Sequence, residues 1–207
     1  MMYYLNKKFI LILLIALLSA GPLLAQDMTG EEDENYVEMY GLGDQMFCIN
    51  AGMFFPLFFM DRDFSLTDTN LTLGGVGSLS WQTFVSNNVS IGVDFGGMFA
   101  MSPNDRILYM VPLTAKATYW FRLYPFEFPV SLGLGGCLSV LDEAAHIDFI
   151  AKPSVGVYWN YSEEWAFGLN AVYWFIPQYY SGKGKVPESH TMYGNFLETS
   201  LSVMFRF

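Results

Sequence analysis

The sequence predicts an all-β fold: an eight-stranded antiparallel, up-and-down transmembrane β-barrel. Three observations carry this expectation. From residue 46 onward, segments in which apolar residues alternate with small or polar ones recur between polar breaks. That period of two belongs to a strand with one oily and one wet face. Only 14% of the 207 residues are charged, too few to cover the outside of a soluble barrel. Aromatic residues make up 18%, and many stand at segment ends, where a barrel in lipid carries its two interfacial girdles.

The chain before the first segment reads differently. Residues 1–25 have the build of a secretory signal peptide: Lys7 and Lys8, an apolar run from Phe9 to Leu18, the break Gly21-Pro22, and the small residue Ala25 before Gln26. The run is shorter than the roughly 20 residues of a spanning helix. No Cys stands at the expected cleavage point, which argues against a lipid anchor. Residues 26–45 are acidic, with Glu31, Glu32, Asp33, Glu34 and Glu38 close together, so a flexible, solvated leader is expected there. Loss of Lys7 and Lys8 with the signal takes the formal charge from −10 to −12. A chain this acidic has no electrostatic case for binding nucleic acid. Residues 46–207 are expected to form the barrel as one domain.

Parity assigns the strands. Odd positions carry the oily face in the first four: Phe47, Ile49, Ala51, Met53 and Phe55; Leu71, Leu73, Leu79 and Trp81; Val89, Ile91, Val93, Phe95 and Phe99; Tyr109, Val111, Leu113, Ala115, Ala117, Tyr119 and Phe121. The fifth switches to even positions, with Val130, Leu132, Leu134, Leu138 and Val140. Odd positions return in the sixth (Phe149, Val155, Val157, Trp159) and seventh (Trp165, Phe167, Leu169, Ala171, Tyr173, Phe175). The eighth has Leu197, Thr199, Leu201, Val203, Phe205 and Phe207 against Glu198, Ser200, Ser202 and Arg206. Breaks at 86–88, 124–127 and 162–164 read as tight turns, and those at 59–69, 101–106, 142–147 and 181–191 as longer loops. Glycines such as Gly92, Gly96, Gly133 and Gly168 suit the narrow interior of so small a barrel.

The last segment, NFLETSLSVMFRF, resembles the terminal strand of bacterial outer-membrane β-barrels, with Phe205 and Phe207 as the assembly signal. The resemblance implies docking of that strand on the barrel-assembly machinery, outer-membrane lipid as the surroundings, and both termini in the periplasm. At the level of pattern, residues 46–207 resemble the small, monomeric barrels of the OmpA, OmpX and OmpW type.

Eight strands leave an interior that side chains nearly fill. The inward charges Asp94, Lys116, Arg122, Lys152, Glu198 and Arg206 are therefore expected to pair, similar to the salt-bridged interior of the OmpA transmembrane domain. Nearer the loops the inward positions are apolar: Phe54, Met98, Leu108, Met110, Ile150, Trp174 and Phe196. An apolar mouth over a polar floor resembles the OmpW family, which implies a narrow conduit or pocket for small apolar compounds; the other reading is a dry plug. Cys48 and Cys137 both point inward but lie on opposite sides, too far apart for a bond that needs Cα atoms within about 7 Å, so two free thiols are expected.

Barrel enzymes such as the lipid A acyltransferase and deacylase families need a Ser or His constellation. Only His146 and His190 are available, and His190 precedes Thr191 and Met192 rather than the His-x-Ser of the deacylases. No catalytic, cofactor-binding or metal site is expected. The leading expectation is a structural or surface-interaction role, with the apolar conduit as the alternative.

Overall fold

The computed structural model describes residues 40–101, 107–141, 144–178 and 192–207. They form strands and no helix. Eight long strands wind up and down: β1 (Gln45–Asp61), β3 (Gly74–Ser86), β4 (Val89–Met101), β5 (Ile107–Leu123), β6 (Phe126–Leu141), β7 (Ala144–Asn160), β8 (Trp165–Gln178) and β9 (Met192–Arg206). A two-residue strand, β2 (Leu66–Thr67), folds back on β1 through Met60 and Phe59. Each long strand pairs antiparallel with the next, and β1 pairs with β9, as in Ile49 opposite Val203, so the sheet closes on itself. Closure leaves no open edge, the condition for a sheet to cross hydrocarbon.

The outward face settles the surroundings. Ile49, Val93, Leu113, Leu134, Leu169 and Leu201 are all exposed, Leu201 by 68%. Their inward neighbours in sequence, among them Asn50, Asp94, Thr114, Ser200 and Ser202, are buried. A continuous apolar exterior of this kind is a lipid-facing band, because water would penalise it on every side. The fold is an eight-stranded antiparallel transmembrane β-barrel. Aromatics ring its turn end in register: Trp165 and Phe205 pair across β8 and β9 with ring centroids 4.8 Å apart, and Trp159 meets Tyr161 at 5.8 Å.

Four expectations are corrected by the register. The second barrel strand begins at Gly74, so Leu71 and Leu73 precede it; Leu71 packs against the buried interior and Leu73 is exposed. An irregularity between Pro56 and Phe58 shifts β1 by one residue, where proline cannot donate to the ladder. The shift keeps Phe59, expected to begin the loop at 59–69, within the strand and turns it inward against Phe196, with ring centroids 6.0 Å apart. The loop expected at 142–147 is shorter, because β7 already runs from Ala144. At the end of the stretch expected to be a solvated leader, residues 41–44 are exposed but Tyr40 is buried, and Gly43 N and Asp44 O bond the backbone of Phe84. The loops 102–106 and 181–191 and the signal at 1–25 lie outside the described residues, as does most of the acidic stretch at 26–45.

The five tryptophans divide cleanly. Trp81, Trp159 and Trp165 are exposed on the lipid face, whereas Trp120 and Trp174 are buried in the lumen. Lipids brominated on their acyl chains are therefore expected to quench a fraction of the fluorescence that falls on replacing Trp81, Trp159 or Trp165 by Phe. Replacing Trp120 or Trp174 should leave the quenched amplitude unchanged.

Candidate functional site

The pleat delivers alternate residues of all eight strands to the lumen, where they sort into three layers along the axis. At the loop end, Phe54, Val76, Met98, Met110, Cys137, Ile150, Val172, Trp174, Ile176 and Phe196 form one buried apolar cluster, with Phe59, Leu71 and Leu108 packed on it. Phe54 meets the Trp174 ring edge-on at 5.2 Å and the Phe196 ring at 5.1 Å. All seven residues expected to line an apolar pocket thus come together, and their own rings occupy the space.

The middle layer is polar. Lys152 Nζ on β7 reaches Asp94 Oδ2 on β4 across the lumen at 2.7 Å, both side chains buried. The same ammonium lies 4.6 Å from the centroid of the Trp174 ring. Trp174 Nε1 donates to Glu198 Oε2 at 2.8 Å, and Ser200 Oγ donates to Glu198 Oε1 at 3.2 Å. Glu198 is therefore held by neutral donors rather than by a cation. Asn170 Nδ2 donates to Asn50 Oδ1 at 3.3 Å and to the Tyr158 hydroxyl at 3.0 Å. Gly168 makes room for Tyr158, since a Cβ there would stand 2.6 Å from its ring. Two small cavities remain in this layer, each of about 20 Å³. Each has room for a water or two. Lys116 lines both of them. Among the described residues it makes no ion pair, in contrast to the expectation that every inward charge would pair.

The turn end is closed by rings and charges. Tyr40 stacks on Phe84 with centroids 4.1 Å apart and an interplanar angle of 15°. Trp120, Met46, Tyr158 and Met204 complete the buried cluster. The Tyr40 hydroxyl donates to the Glu127 carboxylate at 2.9 Å. Arg206 pairs with Glu127 at 3.2 Å and donates to Asn160 Oδ1 at 2.6 Å. The guanidinium of Arg122 lies 4.3 Å from the Tyr40 ring centroid and that of Arg206 lies 4.9 Å away. Arg122 also donates to the Asn87 carbonyl. Burial first, and then the Glu127 carboxylate, push the Tyr40 phenol well above its ordinary range, so it remains a hydrogen-bond donor at neutral pH.

Two members of this lower layer were missed from sequence. Glu127 falls in the turn expected at 124–127, yet it is the second residue of β6 and is buried. Running the inward parity of Ser131 and Pro129 back by one step would have placed it opposite Arg122, its partner in the register. Tyr40 lies outside any alternating pattern, and no sequence signal marks it. Phe205 and Phe207 stack on the outer face with centroids 5.8 Å apart, and Phe207 exchanges two backbone hydrogen bonds with Gln45. Cys48 sits in the lower cluster and Cys137 in the upper, both as free thiols. His146 is exposed near the loop end of β7, and His190 lies outside the described residues. Among the described residues, no three His, Cys, Asp or Glu side chains converge to hold a metal ion.

An oily outer band, a closed ladder and a filled lumen define a small transmembrane β-barrel. One protein-family model matches residues 26–205, and the chain belongs to that family. An uncharacterized protein of Borreliella burgdorferi is 28% identical over 192 residues, covering 82% of this chain and 87% of the relative. An uncharacterized protein of Treponema pallidum is 32% identical over 98 residues, covering 46% and 44% of the two chains. Among solved structures, Neisserial surface protein A (NspA) matches with a TM-score of 0.54 at 16% identity, over 80% of this chain and 97% of that one. The outer membrane protein OprG from Pseudomonas aeruginosa gives a TM-score of 0.53 at 10% identity, over 83% and 99%. At these identities what is shared is the architecture.

The Asp94–Lys152 pair offers a direct measure of what the middle layer contributes. Asp94→Asn alone strands a buried ammonium and is expected to destabilise the barrel by about 3–5 kcal/mol in reversible urea unfolding from lipid. Adding Lys152→Met should recover a large part of that loss, because the orphaned charge is then gone.

Proposed function

We propose that this chain is an outer-membrane protein whose closed barrel has a structural or surface-interaction role, and that it neither catalyses a reaction nor passes hydrophilic solutes. The observation that carries the reading is that both ends of the lumen are filled by the protein's own side chains. Trp174, Phe54 and Phe196 occupy the loop end, and Tyr40, Phe84 and Trp120 occupy the turn end. Between them, two cavities of about 20 Å³ each lie among the described residues. The lipid-facing band and the Phe205–Phe207 ending support insertion by the barrel-assembly machinery, with both termini in the periplasm and the four loops outside. The barrel needs no second copy to complete its sheet, which supports a monomer.

One observation favours a second reading. The upper layer is apolar throughout, so displacement of Trp174 and Phe196 would open an oily pocket suited to small apolar molecules rather than ions. The two readings separate experimentally. In planar bilayers the purified barrel is expected to give no stepwise conductance, and an apolar fluorophore is expected to show no saturable binding. Saturable binding that Trp174→Arg abolishes would replace the closed-barrel reading with the conduit.

A further inference from the structure

We propose that Tyr40 is a removable stopper at the turn end of the lumen, whose withdrawal opens the polar chamber above it to small water-soluble molecules. It is built differently from every other part of the plug. The rings around it, Phe84, Trp120 and Tyr158, stand on barrel strands, whereas Tyr40 stands on the short segment that precedes β1. That segment has the means to swing: Gly43 has φ +97°, open to glycine at no cost, and Leu42 beside it is 80% exposed. Among the described residues, two backbone hydrogen bonds hold it to the barrel, Gly43 N to Phe84 O and Phe84 N to Asp44 O.

The chamber lies directly behind the stopper. Trp120 and Tyr158 belong both to the ring cluster around Tyr40 and to the wall of the lower cavity, which also has Cys48, Gln82, Lys116 and Ser131 in its lining. Losing the Tyr40 ring therefore thins the plug between that cavity and the end of the barrel to the rings that stand on the strands themselves, Phe84 and Trp120.

The closed state is also not fully satisfied. Among the described residues, Arg122 Nε and Nη1 and Arg206 Nε, beside Tyr40, have no hydrogen-bond partner. Burying such donors unpaired is unfavourable, which weighs against the closed contact. Opening thus trades the Phe84 stack, two cation–π contacts and the Glu127 hydrogen bond for relief of that burial. Opposing terms at one contact are what a two-state element requires.

The native cysteines report on the two ends separately, since Cys48 lies in the lower cluster and Cys137 in the upper. The test is the labelling rate of each thiol by a small, charged methanethiosulfonate on the full chain folded in lipid vesicles. Cys48 is read in a Cys137→Ala background and Cys137 in a Cys48→Ala background. Tyr40→Ala is expected to raise the Cys48 rate at least tenfold and leave the Cys137 rate within twofold. Tyr40→Phe, which keeps the stack and loses the Glu127 bond, should fall between. An unchanged Cys48 rate in Tyr40→Ala overturns the proposal, and so does an equal rise at both thiols, which would mean general loosening. Failure of Tyr40→Ala to reach the boiling-sensitive folded form also overturns it, because Tyr40 would then be core rather than stopper. The proposal assumes the closed wild-type lumen; failure of that reading shows separately, as fast labelling or conductance of the unmodified barrel.

Discussion

Everything in this structure depends on the closure of β1 against β9. In hydrocarbon each unpaired backbone N–H or C=O costs several kcal/mol, so a sheet is tolerated there only as a ring. The seam is long, running from Met46 opposite Arg206 to Asp61 opposite Met192. It is finished by Gln45 and Phe207 exchanging backbone bonds. Once the ring is shut, the pleat leaves each side chain two destinations, lipid or lumen, and the alternation of the sequence becomes a sorting of polarity.

The sorting is sensitive to single-residue changes in register. β1 illustrates this beyond Pro56, where one extra residue reverses the face of everything that follows and brings Phe59 into the upper cluster. β6 carries its oily residues on even positions, and Glu127, an odd one, is accordingly delivered to the lumen, where Arg206 and Tyr40 meet it.

Inside, the narrowness of eight strands sets the chemistry. A lumen this tight leaves little room to hydrate charges, so three carboxylates find substitutes for water: Asp94 takes Lys152, Glu127 takes Arg206, and Glu198 takes the Trp174 and Ser200 donors. Trp174 ties two layers together, since its ring packs on Phe54, its face meets Lys152 and its N–H serves Glu198. Lys116 faces the two cavities, which have room for water.

What the sequence by itself determined is whatever depends on local pattern. Period-two alternation, aromatic segment ends and scarce charge were enough for the strand count, the lipid-facing side and the grouping of Phe54, Met98, Met110, Ile150, Trp174 and Phe196. Those features repeat every second residue, and a barrel strand presents them in the order they are written. The tertiary structure alone decided the partners. Asp94 and Lys152 are 58 residues apart and Glu127 and Arg206 are 79 apart, and no local signal states which strands face each other across a lumen. It alone placed Tyr40, a residue in no pattern, because the pocket that receives it takes Phe84, Trp120, Glu127 and Arg206 from four strands that come together only when the ring is closed.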